Sequence, residues 1–459
     1  MQIDEATRRA MAEVLEKVRG ERAGEGWGEW RACRARLDRL ERALREREEA
    51  ILVALAADLG KPGLEAYVAE FYFVLQELRL LRRKGGKWRK TRRVGSPAYF
   101  FPARSELRRE AFGVALIVAP WNYPLQLALG PLMNAVAAGN GVVLKPSELS
   151  PATNEVLREI VAEVFPDGGG VVVDGGAAEV QALIAAEPDF VFFTGSTEVG
   201  RKIAAGAAEV LAPCVLELGG KSPAVFGEEV KLEVAVRRLL AGKFFNGGQT
   251  CFAPDFVCVP ASLREAFLAE VERLFAEVPW REEMARIVSE GHFRRLEGLL
   301  EGAEVLARQG GDERGKLRLA PRVVAADWAS ELMKEEIFGP LLPVIFYENE
   351  AELRRELAAR PSPLALYLFS EDRAWVEEWL GLLRSGGVCV NDTMKQGASL
   401  TLPFGGVGES GYGRYRGRAG VEAFSYARAL VRRGTWAPRA LDFLPPYAPA
   451  FKWLRKFLR

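Results

Sequence analysis

Between residues 114 and 216, five short apolar runs alternate with four stretches of helical pattern, an order that few architectures accept. The runs are 114–118, 142–144, 171–173, 190–193 and 214–216, and the helical patterns lie near 126–138, 151–164, 177–186 and 198–211. A run that is apolar at every position buries both faces, as a strand inside a parallel sheet does. Strand and helix in strict alternation predict a doubly wound parallel sheet, whose ligands lie at the carboxyl ends of its strands. Those ends carry Pro120-Trp121-Asn122, Lys145-Pro146-Ser147-Glu148 and Thr194-Gly195-Ser196.

A second α/β lobe is expected from Gly219 to about Val390, with strands near 255–259, 342–346, 364–369 and 387–390. At 459 residues the chain exceeds a single ordinary core, so two lobes are expected on length as well. Upstream, residues 4–84 repeat apolar positions at spacings of three and four, which predicts helices. Residues 92–110 read as an extended hairpin arm leaving the body, and its aromatic side chains favour an oligomer contact over a surface flap.

Charge excludes some partners. Lys and Arg number 63 against 62 Asp and Glu, a net charge of +1, so no nucleic acid partner is expected. No run approaches the ~20 apolar residues of a membrane span. The first twenty residues are charged and amphipathic, without the apolar centre of a signal peptide. Five cysteines without a CxxC pair fit free thiols in a reducing cytoplasm and no zinc site. Abundant Arg, Glu and Leu with sparse Asn and Gln suggest a thermophile.

Cys251 lies in the small-residue loop Asn246-Gly247-Gly248-Gln249-Thr250-Cys251, between a helix-like and a strand-like run. It is either a packing residue or a nucleophile. A thiol of pKa ~8.5 is little ionised at neutral pH, so a nucleophile there needs a lowered pKa or a neighbouring base. The single histidine, His292, sits in a charged helical pattern and is expected at the surface. Base duty therefore falls more naturally to a carboxylate. Glu217, ending an apolar strand, is either such a base or half of a buried salt bridge. Asn122 has an amide able to meet a developing oxyanion. Cys33, Cys214, Cys258 and Cys389 read as packing residues.

Two patterns fail their context. Gly406-Val407-Gly408-Glu409-Ser410-Gly411 matches GxGxxG without a βαβ unit, and Gly219-Gly220-Lys221-Ser222 lacks the leading glycine of a P-loop. Gly195-Ser196-Thr197-Glu198-Val199-Gly200 is better placed, since it follows a strand and opens a helix. Free N–H groups at that helix start suit a pyrophosphate, and an ordinary N-cap turn explains it equally. Glu148 suits an adenosine ribose hydroxyl, with Lys145 as a second donor to it.

These segments, together with Glu335-Glu336-Ile337-Phe338-Gly339-Pro340 and Pro403-Phe404-Gly405-Gly406, occur in the order seen in aldehyde dehydrogenases. The chain most resembles the class 3 branch of that superfamily, on Gln249-Thr250-Cys251-Phe252-Ala253-Pro254-Asp255 and on Leu444-Pro445-Pro446-Tyr447 near the end. The resemblance implies an α/β fold with a Rossmann-like cofactor domain (1–218, the 92–110 arm projecting), an α/β catalytic domain (219–391), and a return loop, oligomerisation segment and tail (392–459). It implies that Cys251 attacks an aldehyde and that the Asn122 side chain and the Cys251 N–H hold the oxyanion. The hemithioacetal gives hydride to nicotinamide, and Glu217 activates water to hydrolyse the thioester. It assigns the adenine-side ribose to Lys145 and Glu148 and the pyrophosphate to Ser196, within the turn from Gly195 to Gly200. Glu336 and Phe338 hold the nicotinamide end, and Trp121 joins the cofactor-binding set. NAD is expected, with NADP also accepted, and the partners implied are a small aldehyde and a second copy in a homodimer. Class 3 relatives carry histidines where this chain has Gln396 and Leu400.

Two rivals remain open: an acylating or reductive member of the superfamily, and a non-catalytic protein on this fold. Glu217 favours hydrolysis, because transfer has less need of a base for water. At the end of the chain, Phe451, Leu454 and Leu458 share a helical face among Lys452, Arg455, Lys456 and Arg459. Such a basic amphipathic segment either makes weak peripheral contact with an anionic membrane or docks on the body or its dimer mate.

Overall fold

The computed structural model describes residues 4–436, and beyond them 442, 444, 445, 447, 448, 451 and 455. The expected amphipathic tail therefore lies outside the described residues apart from Phe451 and Arg455.

The N-terminal region is helical, running Glu5–Arg22, Trp30–Glu46, Glu48–Leu59, Gly63–Ala66, a π-helical turn Tyr67–Tyr72, and Phe73–Trp88. Strands β1 (Arg92–Val94) and β2 (Ala103–Ala111) form the arm. Five strands follow: β3 (Val114–Val118), β4 (Gly141–Lys145), β5 (Gly170–Val172), β6 (Phe190–Gly195) and β7 (Cys214–Leu218). The second lobe holds β8 (Pro223–Phe226), β9 (Phe256–Pro260), β10 (Val305–Arg308), β11 (Arg322–Ala325), β12 (Leu341–Tyr347), β13 (Ala365–Phe369) and β14 (Gly387–Val390). The chain then returns through β15 (Gly411–Tyr412) and β16 (Ser425–Arg433).

The first large sheet has the order β15-β7-β6-β3-β4-β5, parallel except for β15. Every residue of β3 and β4 is buried, which explains their unbroken apolar runs. Full burial of Leu116 and Ile117 contributes roughly 1.5–3 kcal/mol each. The chain leaves β3 first toward β4 and β5 and later toward β6 and β7, so the topological switch lies between β3 and β6. The second sheet, β10-β11-β12-β9-β8-β13-β14, is parallel except for the β10–β11 pair.

The arm is more than a hairpin. β1 pairs with β2 as expected, but β16 adds a third antiparallel strand over nine residue pairs, from Ser425 opposite Ala111 to Arg433 opposite Ala103. The return segment is anchored in the body by Glu77, which is buried and accepts from Asn134 Nδ2 (2.9 Å) and Gly417 N (3.0 Å).

Candidate active site

The helix Leu232–Phe244 ends one turn before the cysteine loop, and Asn246, Gly247 and Gly248 all take positive φ (55°, 63° and 73°). A Cβ on Gly248 would stand 2.2 Å from Gly339 O, so this backbone must be bare to pass. Side chains pin the loop from every side. Gln249 donates to Asn246 O and Arg286 O and accepts from Val288 N, Thr250 bonds Tyr123 at 2.6 Å, and Asn246 N donates to Glu65 Oε2 at 3.0 Å. Cys251 follows, partly buried and facing a cavity of about 670 Å³.

Asn122, Glu217 and Cys251 line that one cavity, which opens at the carboxyl ends of β3, β6 and β7. Asn122 Nδ2 donates to Gln249 O at 2.9 Å, which holds the amide against the cysteine loop and leaves its second N–H unused. Glu217 is 3% exposed and neither carboxylate oxygen has a hydrogen-bond partner. The salt-bridge alternative therefore falls, and an orphaned buried carboxylate is what a functional site retains. The strand beside it is bare: Gly411 of β15 pairs with Glu217, and a Cβ on Gly405 would lie 3.0 Å from Glu217 Oε1. The GxGxxG segment thus ends with Gly411 on the backbone edge beside Glu217.

Burial raises the Glu217 carboxyl well above the usual range, against the pull of Arg416 and Arg414. Burial also pushes the Cys251 thiol up, helped by Glu336 and Glu217 and opposed by Arg416 and the residue's own N–H. The loop does not lower the thiol pKa. Of the two routes to a thiolate, the neighbouring base is the one this geometry offers.

Trp121, Gly195, Ser196, Glu336 and Phe338 line the same cavity. Ser196 caps the helix Thr197–Glu209 by accepting from Val199 N at 3.3 Å, so cap and cavity wall are one residue. Gly200 does not line the cavity. It packs the helix on the sheet, where a Cβ would stand 2.5 Å from Leu218. Lys145 and Glu148 lie one strand over, at the end of β4, outside the cavity wall and joined at 3.1 Å. Burial alone would raise the Glu148 carboxyl, but its own N–H and Lys145 hold it below the ordinary value. Glu336 is pushed up to about 8 by burial and Asp255, against the Gly220 N–H, Lys221 and Lys243.

These residues fit a dinucleotide. Gly219 leaves bare backbone where a Cβ would sit 2.0 Å from Glu336 Oε2, and Thr194 Oγ1 is buried there without a partner. Phe338 is held at φ 51° with its ring 5.5 Å from that of Trp121, edge to face.

His292 is a correction. The surface expected for it is instead the cavity wall, half-buried with its ring 5.4 Å from that of Trp121, and burial then Arg295 lower its pKa. A polar helical pattern conceals it, because the face of helix Glu290–Gly298 that carries His292 and Arg295 is the one that lines the cavity. Sequence reasoning also misses Arg416. This arginine is buried at φ 79°, its guanidinium lies 4.3 Å from the Phe404 ring centroid and 4.8 Å from that of Phe73, and its Nε and Nη1 have no partner. Arginine inside Gly413-Arg414-Tyr415-Arg416-Gly417 was the available signal.

Residues 1–430 match the family model described as the aldehyde dehydrogenase family. The chain is 38% identical over 432 residues to 4,4'-diaponeurosporen-aldehyde dehydrogenase of Staphylococcus aureus, covering 92% of this chain and 94% of that protein. It is 38% identical to aldehyde dehydrogenase family 3 member H1 of Arabidopsis thaliana, covering 92% and 88%. Among solved structures, a substrate-bound Staphylococcus aureus AldH superposes with a TM-score of 0.94 at 35% identity, over 97% and 99% of the two chains. A Mycobacterium tuberculosis aldehyde dehydrogenase complexed with NAD+ superposes at 0.83 and 28% identity, over 93% and 92%. Matched over nearly its whole length, this chain belongs to the aldehyde dehydrogenase family.

Proposed function

We propose that this chain oxidises an aldehyde to a carboxylic acid with NAD as hydride acceptor. The observation that carries the proposal is one cavity holding the Cys251 thiol, the Asn122 amide and the unpaired Glu217 carboxylate. Cys251 gives up its proton to a carboxylate and its sulfur attacks the carbonyl carbon. The resulting alkoxide would be met by the free Asn122 N–H and by the Cys251 N–H. Nicotinamide, when bound, takes the hydride that turns the hemithioacetal into a thioester. Glu217 then removes a proton from water as the water oxygen attacks the thioester carbon. The C–S bond breaks, the acid leaves, and the thiol is restored.

Ser196 with the first turn of its helix would hold the pyrophosphate, Lys145 and Glu148 the adenine-side ribose, and Glu336 with Phe338 the nicotinamide end. Gly195 and Gly200 leave room for that turn to close on the sheet, and Trp121 walls the nicotinamide side. Glu148 favours NAD by repelling a 2′-phosphate, and NADP is the weaker alternative.

Medium to long aliphatic or aromatic aldehydes are the substrates proposed. Exposed Leu64, Tyr67, Val68 and Tyr72 flank Glu65, the residue that grips the cysteine loop, and offer an apolar approach. The partition at 218/219 and 391/392 follows the passage from the first sheet to the second and back. The arm exposes Val94, Phe101, Tyr426 and Val431, which supports a homodimer through that sheet. All five cysteines are free, as in a reducing cytoplasm, and no helix among the described residues is long and apolar enough to cross a membrane.

Absorbance of reduced cofactor over an aldehyde panel, with NAD and with NADP, tests the reading. Glu217→Gln should keep a single hydride-transfer burst and lose steady-state acid production. Unchanged turnover in that variant would remove Glu217 as the base, and full activity in Cys251→Ala would sink the mechanism.

A further inference from the structure

A second concavity lies where the N-terminal helices meet the root of the arm. It encloses about 1130 Å³ between residues 22–34, the end of helix Phe73–Trp88 with residues 89–91, and β2 at 108–111. Nine of its lining side chains are Arg or Lys and two, Glu29 and Glu110, are acidic. The whole chain, by contrast, carries a net charge of +1.

Five of the nine cations are already engaged. Arg34 and Arg82 share Asp38, Arg108 faces Glu110, Arg109 pairs with Glu422, and Arg89 donates to Gly28 O and to Cys33 Sγ at 3.2 Å. The other four, Arg22, Arg83, Lys87 and Lys90, have no carboxylate partner among the described residues, and Arg22 Nε is buried without an acceptor. Arg83 and Lys87 stand four residues apart on one helix face, a like-charge spacing that works against the helix. Cations gathered in a concavity without counter-charge focus a positive potential into it.

We propose that this groove binds a small polyanion carrying closely spaced phosphate groups. Arg22 offers a planar fork for one phosphate, and Lys87 and Lys90 act as point charges on its neighbours. Arg83 and Lys87, about 6 Å apart along the helix axis, reach adjacent phosphates. The near-zero net charge of the whole chain, +1, argues for a compact ligand over a nucleic acid duplex. None of these residues lines the aldehyde site, so the groove is a second site with its own ligand.

Titration calorimetry of the full chain with sodium tripolyphosphate tests this, with NAD at saturation so that the cofactor cradle is occupied. The expected result is one saturable site per chain that weakens between about 50 and 200 mM salt. Lys87→Gln/Lys90→Gln should lose affinity about tenfold or more while its aldehyde oxidation stays at the parent rate, which shows it folded. Absence of saturable heat, or equal affinity in the double variant, would overturn the proposal. So would pelleting with phosphatidylglycerol vesicles by a chain that does not bind tripolyphosphate, since the groove would then serve a lipid surface.

Discussion

Lys61 Nζ stands 2.5 Å from Glu70 Oε1 with both side chains sealed from solvent, and the same ammonium donates at 3.1 Å to the main-chain oxygen of Asn122. Glu70 Oε2 in turn accepts from Leu125 N (3.1 Å) and Gln126 N (2.9 Å) at the start of the next helix. Asn246 Nδ2 reaches the same Asn122 oxygen at 3.0 Å. A buried ion pair between Lys61 and Glu70 of a π-helical turn thus fixes the backbone that aims the Asn122 amide.

Removing one member of that pair strands the other charge. Lys61→Met should cost about 3–5 kcal/mol in denaturant unfolding, because Glu70 is left buried and uncompensated. Lys61→Met/Glu70→Leu should recover much of that stability. It should not recover the full hydride-transfer burst, since the Asn122 backbone has lost one of the two donors that hold it. A double variant with a normal burst would show the pair to be structural only.

Glu65 gives the cysteine loop a pH-dependent cost. Burial first raises its carboxyl to about 7, against the Asn246 N–H and Lys61. The folded state then holds a proton that the unfolded state releases, so folding stability falls as pH rises from about 4.5 to 7. Glu65→Gln keeps an acceptor for Asn246 N and removes the ionisation. The variant should gain up to about 3 kcal/mol over the parent at pH 8, less whatever partial exposure screens, and nothing at pH 4. Thermal unfolding at the two pH values checks the sign.

We propose that Glu148 sets the choice of cofactor. Its carboxylate is held ionised beside Lys145, 61% exposed and ready to repel a phosphate. Glu148→Gln should lower the KM for NADP by about tenfold, from the loss of roughly 1.4 kcal/mol of repulsion, and raise the KM for NAD. Unchanged NADP kinetics would place the 2′ position elsewhere.

The first sheet was legible because β3, β4, β6 and β7 are buried on both faces, so burial writes itself as continuous apolar sequence. Strand β16 was not, since nearly all of it is exposed in the single chain and no alternation marks it. β8 was hidden by its four-residue length and its leading Pro223. In the site, strand ends and a glycine loop single out Cys251, Glu217 and Asn122 as candidates, and the family resemblance supplies their roles. Lys61 and Glu70 do not, because nothing local distinguishes a buried charge in a helical region from a solvated one. The raised thiol pKa of Cys251 is likewise hidden, since it comes first from burial in the fold and then from carboxylates 34 and 85 positions away in the chain.

Arg416 carries the last prediction. Its guanidinium is buried among Phe404, Phe73 and Tyr415, without a carboxylate bonded to it, and it opposes the upward shift of both Glu217 and Cys251. A cation placed there favours the ionised forms that attack and hydrolysis require. Arg416→Met keeps the aromatic packing and removes the charge, so both groups should ionise at higher pH. The rising limb of kcat against pH should move up by about one unit, equivalent to about 1.4 kcal/mol, while the KM for NAD stays put. Arg416→Lys should restore part of the shift, because the charge returns without the planar stack. A pH profile unmoved in Arg416→Met would leave Arg416 as packing for the return loop and nothing more.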